Sequence, residues 1–160
     1  MLLNLNKSDT PMKFVYLLSE ELKENPGQIV LAQALTLDKS KPYMGLKGAY
    51  GLFGSQEWWN SIEEGKMPLL FLSGVIQRTY IAGQDSSSEE NSFSLLLGDG
   101  SIREESIYSH TRKEDRRLFV VGSRVEIVYA LDELKPGAVD GEETHLDIVL
   151  EMAVSLQSVE

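Results

Sequence analysis

His145 and Asp147 stand two residues apart, and on an extended chain that spacing turns both side chains to the same side. With Glu142 and Glu143 close by in sequence, an imidazole and three carboxylates form the minimum from which a nitrogen and oxygen cation site can be assembled. The same residues fit an acidic loop running into the polar face of an edge strand, and no metal is assigned to them. His110 lies in Ser109-His110-Thr111-Arg112 and reads as a solvated loop residue rather than a general base. Nucleophilic catalysis needs a hydroxyl or thiol beside a base and an orienting acid. The chain has 0 cysteines, which excludes thiolate catalysis, disulfides, zinc ribbons and Cys-held iron–sulfur clusters, and no G-x-S-x-G elbow marks a serine. Carboxylate neighbours such as Glu104 and Glu105 face opposite ways on a strand and do not make an acid/base dyad. No catalytic residue and no cofactor is assigned.

The segment Pro42 to Trp59 is the most unusual in the chain. Gly45, Gly48, Gly51 and Gly54 recur every third residue, with Tyr43, Tyr50, Phe53, Trp58 and Trp59 among and after them. Glycine at that density marks a backbone path closed to a Cβ, through positive φ or close approach of another surface. A collagen-like helix needs far more repeats and far more proline. A glycine loop feeding a helix N-terminus can hold a phosphate, but neither the Walker nor the G-x-G-x-x-G pattern is present and no lysine follows Gly54. Ser55 is placed to cap the helix that follows, Trp58, Trp59 and Ile62 share one side of it, and Gly65 marks its end. Adjacent helical residues point about 100° apart, so one tryptophan is expected to anchor the helix while the other lies nearer the surface. Tyr50, Phe53, Trp58 and Trp59 are the candidate binding residues. The alternative, that they form the local core of a lid, stays open.

Net charge is −10, and its distribution is uneven. Residues 1–80 hold eight acids and eight bases, whereas residues 81–160 hold 17 acids and seven bases, a difference of −10. Arg112, Lys113, Arg116 and Arg117 make the one basic cluster, interrupted by Glu114 and Asp115. A nucleic-acid groove requires uncompensated cations along the phosphate path and exposed aromatics on the strands. Only Arg78, Tyr80 and Arg103 offer a small patch of that kind, so the balance argues against nucleic acid and favours a basic partner. Apolar runs reach about five residues against the roughly twenty of a membrane span, and no membrane association is expected. The opening Met1-Leu2-Leu3-Asn4-Leu5-Asn6-Lys7 carries neither a basic leader nor a continuous apolar stretch, and the expected location is cytoplasmic.

The elements that must position these residues follow from periodicity. Asp9-Thr10-Pro11 followed by Phe14, Leu18 and Leu22 at i, i+4, i+8 predicts a helix over 11–24, with a strand over Met12 to Leu18 as the rival because Phe14, Tyr16 and Leu18 also fit period two. Ile29, Leu31, Leu35 and Leu37 alternate with smaller residues and predict a mostly buried strand from Gln28 to Leu37. From Met67 onward strands succeed one another: Leu69 to Ala82 with Gly74 as a bulge or bend, a solvated loop Gly83 to Asn91, and Ser92 to Leu97. Gly98-Asp99-Gly100 then turns a hairpin into Ser101 to Tyr108. Ser109 to Phe119 reads as a short helix or connection. Val125, Ile127, Tyr129 and Leu131 mark a further strand that ends before Pro136-Gly137. In the last strand, Leu146, Ile148, Leu150, Met152, Val154 and Leu156 face one way, opposite His145, Asp147, Glu151, Ser155 and Gln157, so a one-residue slip is disfavoured.

This order, a long bent strand, a hairpin, a short connection and two more strands, is similar to the oligonucleotide and oligosaccharide-binding (OB) barrel in architecture, with no family motif to support it; an SH3-like barrel or a sandwich fits as well. The expected fold is mainly β (α+β): a small five- to six-stranded antiparallel barrel, OB-like or SH3-like. Residues 1–66 would form an N-terminal helix-strand-helix layer and residues 67–160 the barrel, together one domain. The expected function is a non-enzymatic binding or protein-interaction module with a protein partner, a basic one by charge, in the manner of a small acidic inhibitor or immunity-type protein. Two alternatives remain: a small-ligand-binding protein or enzyme with a pocket between the N-terminal layer and the barrel, and an OB-like binder of single-stranded nucleic acid. Oligomeric state is not readable.

Overall fold

The computed structural model describes residues 1–83, 89–108, 113–137 and 144–159. Six strands, β1 (Met12–Leu17), β2 (Leu69–Tyr80), β3 (Ser92–Leu97), β4 (Ile102–Ser106), β5 (Ser123–Glu133) and β6 (His145–Ser158), join helices α1 (Leu18–Glu24), α2 (Gly27–Leu37) and α3 (Gln56–Glu63). Short 3-10 turns lie at Leu5–Lys7 and Lys113–Leu118. The strands form one sheet in the order β1-β6-β5-β2-β3-β4, and the pairs β1–β6, β2–β3 and β3–β4 are antiparallel. The α+β class holds, but the sheet is open: β1 and β4 are its edges. By contact density the chain divides into two units, Met1–Leu17 with Phe71–Val128 and Glu151–Glu160, and Leu18–Leu70 with Tyr129–Leu150.

In the first unit the reason that a barrel does not close is local. After β4 the chain turns into the 3-10 segment Lys113–Leu118, and what it presents to β1 is side chains rather than a strand edge. Asp115 takes the Lys13 ammonium of β1 at 2.7 Å, and the Tyr16 and Tyr108 rings meet edge to face at 4.8 Å. Ile76, Phe93, Leu95, Phe119, Val125, Ile127, Met152 and Val154 fill the interior of this unit. Gly74 is not the irregularity expected of β2. The register shifts between Ile76 and Arg78, whereas at Gly74 a Cβ would run into the Leu96 carbonyl of the neighbouring strand. The hairpin from β3 to β4 falls where the sequence places it, and of its two glycines only Gly100 takes positive φ, +86°, as in a three-residue loop closed by a left-handed residue. Glu151 is buried, and its carboxylate accepts the Leu2 and Leu3 backbone N–H groups at 2.8 to 3.0 Å.

Two expectations about the N-terminal region are corrected. The 11–24 segment is a strand followed by a helix: β1 takes Met12–Leu17, and only Leu18 and Leu22 of the proposed helical row are buried on α1. Gln28 to Leu37 lies in helix α2, not in a strand. Leu31, Ala32, Gln33, Ala34 and Leu35 are strong helix formers, and the two sides of α2 are almost equally apolar, so no 3.6-residue periodicity is visible and chance alternation reads as a strand. The helix-strand-helix layer is therefore a strand and two helices, followed by the glycine segment and α3.

The last strand is buried through its middle on both faces. Val149 through Ser155 are all buried, while Leu146 and Leu156 at its ends are 47% and 50% exposed; the one-sided row of six is shortened. Strict alternation describes a sheet with one wet face, and this stretch has none. Among the described residues no helix is long and apolar enough to cross a membrane. Leu150→Ala is expected to cost about 2 to 5 kcal/mol, as core leucine truncation does, and Leu156→Ala less than about 0.5 kcal/mol, as at other exposed positions; urea unfolding of the two variants side by side checks the contrast.

Candidate functional site

The second unit holds the glycine and aromatic segment. All four repeating glycines take positive φ, +90°, +82°, +102° and +75° at Gly45, Gly48, Gly51 and Gly54, and three of them lie against one helix. A Cβ at Gly45 would stand 2.8 Å from Leu35, at Gly48 3.2 Å from Thr36, and at Gly54 3.0 Å from Ile29, all residues of α2. At Gly51 it would stand 2.9 Å from the Trp58 backbone nitrogen, an obstacle that no side-chain rotation relieves. The repeat therefore has a packing origin: the chain runs along α2 at a separation only a bare backbone permits. Gln33 Nε2 donates to the Phe53 carbonyl at 3.0 Å across the same contact. Leu46 forms an isolated bridge with Leu134, and Lys135 reaches back so that its ammonium donates to the Leu35 and Lys41 carbonyls at 2.7 and 2.9 Å. A cation on the last carbonyls of a helix is where the helix dipole favours it.

Helix α3 begins and ends as its sequence signals indicate. Ser55 accepts the Trp58 N–H at 3.2 Å and so satisfies one of the open N-terminal donors. At the other end Lys66 N donates to Ser61 O and Gly65 N to Ile62 O, at 2.9 and 3.2 Å, the crossed pair that a left-handed glycine allows. Trp58 is fully buried at 0% exposure. Its indole N–H donates to Asp132 Oδ2 at 2.9 Å, and its ring meets Phe53 and Trp59 edge on at 5.0 and 4.9 Å. Asp132 is also buried at 0%. Burial pushes its carboxyl above the ordinary aspartate value, against the pull of the Trp58 hydrogen bond, and its Oδ1 has no hydrogen-bond partner among the described residues. The β5 pattern places Leu131 on the inward row and gives Asp132 no role. The structure makes Leu131 half-buried and buries Asp132; a buried acid is legible only once the indole opposite it is known.

The four candidate residues therefore do different things. Phe53 and Trp58 are buried supports. Tyr50 is half-buried, with its carbonyl accepting the Ser61 hydroxyl at 2.9 Å and its own hydroxyl donating to Glu133 at 3.5 Å; burial, and then the Glu133 charge, raise its pKa. Trp59 is half-buried and, with Ser19, Leu22 and Lys23 of α1 and Ile29 of α2, lines a shallow and mostly apolar pocket of about 230 Å³. On α2 Val30, Leu31 and Leu37 are exposed, and on the following loop Tyr43 and Met44, at 54% to 74%.

The other sequence candidates are not assembled into a site. His145 and Asp147 do share a side, Nε2 to Oδ1 3.2 Å, while Glu142 and Glu143 lie outside the described residues, as do His110 and Arg112. Arg78 stacks on the Tyr80 ring at 4.3 Å and Tyr80 donates to Glu104 at 2.6 Å, so this patch carries a carboxylate within it. The Tyr80 and Ser94 hydroxyls hold the Glu104 pKa below the ordinary glutamate value, the reverse of what a general acid needs. Arg116 is turned onto the Glu90 carbonyl and Glu89 at 2.7 and 3.7 Å.

Trp58, buried and held by Asp132 and Phe53, thus stands against a half-buried Trp59 that lines an apolar hollow. The family model for the immunity protein RhsI2 matches residues 12–155, most of the chain, and the chain belongs to that family; it is an immunity-type protein-interaction module that binds a protein partner. Comparison with curated proteins gives no match.

Because the raised Asp132 pKa belongs to the folded state, folding favours the protonated carboxyl. The burial cost is absent below the unfolded value near 3.8 and grows as pH rises through the folded value. Asp132→Asn keeps an oxygen for the indole but never ionises. Its stability relative to the wild type is expected to increase from pH 4 to pH 7, measured by thermal unfolding of both proteins across that range; a difference that does not change with pH contradicts the burial argument.

Proposed function

We propose that this protein neutralises a toxin by binding it, and that Trp59 and its pocket form the central contact. The observation that carries the reading is the division of labour between the tryptophans: Trp58 is locked by Asp132 and Phe53, and it holds beside it a half-exposed indole over an apolar hollow. An aromatic immobilised before binding loses little conformational entropy on association, which is why such residues dominate binding energy. Ser19, Leu22, Lys23 and Ile29 complete a seat sized for one apolar side chain of the partner.

The partner is a basic protein in this reading. A net charge of −10 accelerates encounter with a cationic surface and makes the association rate fall with salt. In this reading the complex forms in the cytoplasm.

Trp59→Ala is expected to weaken binding of the cognate toxin about 30-fold or more, a loss of about 2 kcal/mol or above as at a hot spot, with little change in melting temperature. Trp58→Ala is expected to cost about 3 to 5 kcal/mol of stability. Isothermal titration calorimetry with the cognate toxin, repeated at two salt concentrations, together with thermal unfolding, separates the two; unchanged affinity in Trp59→Ala rejects the pocket.

A further inference from the structure

Helix α2 is the part of the second unit whose outer face nothing described covers. Its eleven residues, Gly27–Leu37, include no charged side chain and none that is buried. Ile29, Leu35 and Thr36 face the glycine segment. On the opposite side Gly27, Val30, Leu31, Ala34 and Leu37 are exposed, Val30, Leu31 and Leu37 by 66%, 74% and 64%. They fall at i, i+3, i+4, i+7 and i+10, a straight apolar stripe with small residues at positions 27 and 34 where another helix can approach closely. Solvated helices do not normally carry such a stripe.

The charges at its two ends indicate what covers it. Glu20, Glu21 and Glu24 precede α2, with Lys23 paired to Glu20 at 3.3 Å. Lys39 and Lys41 follow it, with Asp38 turned onto the Ser40 amide and hydroxyl at 2.9 and 2.6 Å. The element is therefore acidic at its start, uncharged through its length and basic just beyond its end. Two copies laid antiparallel bring the acidic end of each against the basic end of the other, whereas parallel copies bring like ends together.

We propose that α2 is a self-association surface, pairing antiparallel with α2 of a second copy of this chain across a two-fold axis. A two-fold contact repeats each pairing, so Glu24 of one copy meets Lys39 and Lys41 of the other twice over. The stripe is about 16 Å long at 1.5 Å per residue. That is short beside the roughly 800 Å² per partner of a standard interface, so the dimer forms in the micromolar range and dissociates on dilution. The Trp59 pocket lies over Ile29, on the other side of α2 from Leu31, which leaves the proposed toxin contact a separate surface.

Sedimentation velocity of the full chain, from low to several hundred micromolar, tests this. The expected result is a reversible monomer–dimer equilibrium that Leu31→Asp abolishes over the whole range, with the circular dichroism spectrum and melting temperature of the monomer unchanged because the side chain is 74% exposed. Glu24→Lys and Lys39→Glu are each expected to weaken dimerisation by roughly fivefold, and the double variant to restore it, which only an antiparallel arrangement predicts. A chain that stays monomeric throughout overturns the proposal. So does a dimer that survives Leu31→Asp, and so does a monomer in which Leu31→Asp instead loses affinity for the toxin, which would assign the stripe to that partner.

Discussion

The hydrogen bond between the Trp58 indole and Asp132, both without solvent exposure, is the constraint from which the candidate surface follows. A buried carboxylate is costly unless it is paired or protonated, and a buried indole N–H needs an acceptor. The hydrogen bond satisfies the indole and one carboxylate oxygen only in one orientation, so α3 is fixed on the end of β5 in both position and rotation. Trp59, one residue on, is then aimed at the α1 and α2 side chains because Trp58 is aimed at Asp132. The candidate contact residue is positioned by its neighbour's chemistry.

The glycine segment plays the complementary part. A helix with polar groups along its inner face could have been held at ordinary distance by side chains. The chain instead brings bare backbone to within a Cβ's reach of Ile29, Leu35 and Thr36, with Lys135, bonded through its backbone to Gly45, capping the last turn of α2. The inner face of α2 is thus satisfied by backbone approach and one ammonium group, and its outer apolar face is left for another protein.

Much of this was legible before any coordinates. The hairpin at Gly98-Asp99-Gly100, the Ser55 cap and the Gly65 stop all depend on residues within a few positions of one another, and each falls where its local chemistry puts it; the constrained backbone at Gly45 to Gly54 is marked by its glycines, although the surface they approach is α2. The separation of the adjacent tryptophans into a buried and a half-exposed residue likewise follows from helix geometry alone. The errors arose where a segment's state depends on distant residues. Gln28 to Leu37 has no amphipathic period because one of its faces meets glycines and the other meets nothing described. Asp132 has no role in the strand pattern until an indole 74 positions earlier in the chain is placed against it. The barrel was inferred from strand count, but closure depends on whether the two edges hydrogen-bond, and β1 is met by the Asp115 and Tyr108 side chains instead.

The sequence by itself determined the acidic, cysteine-free composition, most strand positions, the turns and caps, and the presence of a strained aromatic segment, because these are set by propensity and by neighbours three or four residues away. The tertiary structure alone decided that the sheet stays open, that α2 is a helix, and which aromatic ring is support and which is surface. Burial is a property of what lies across the fold, and no short-range pattern encodes it.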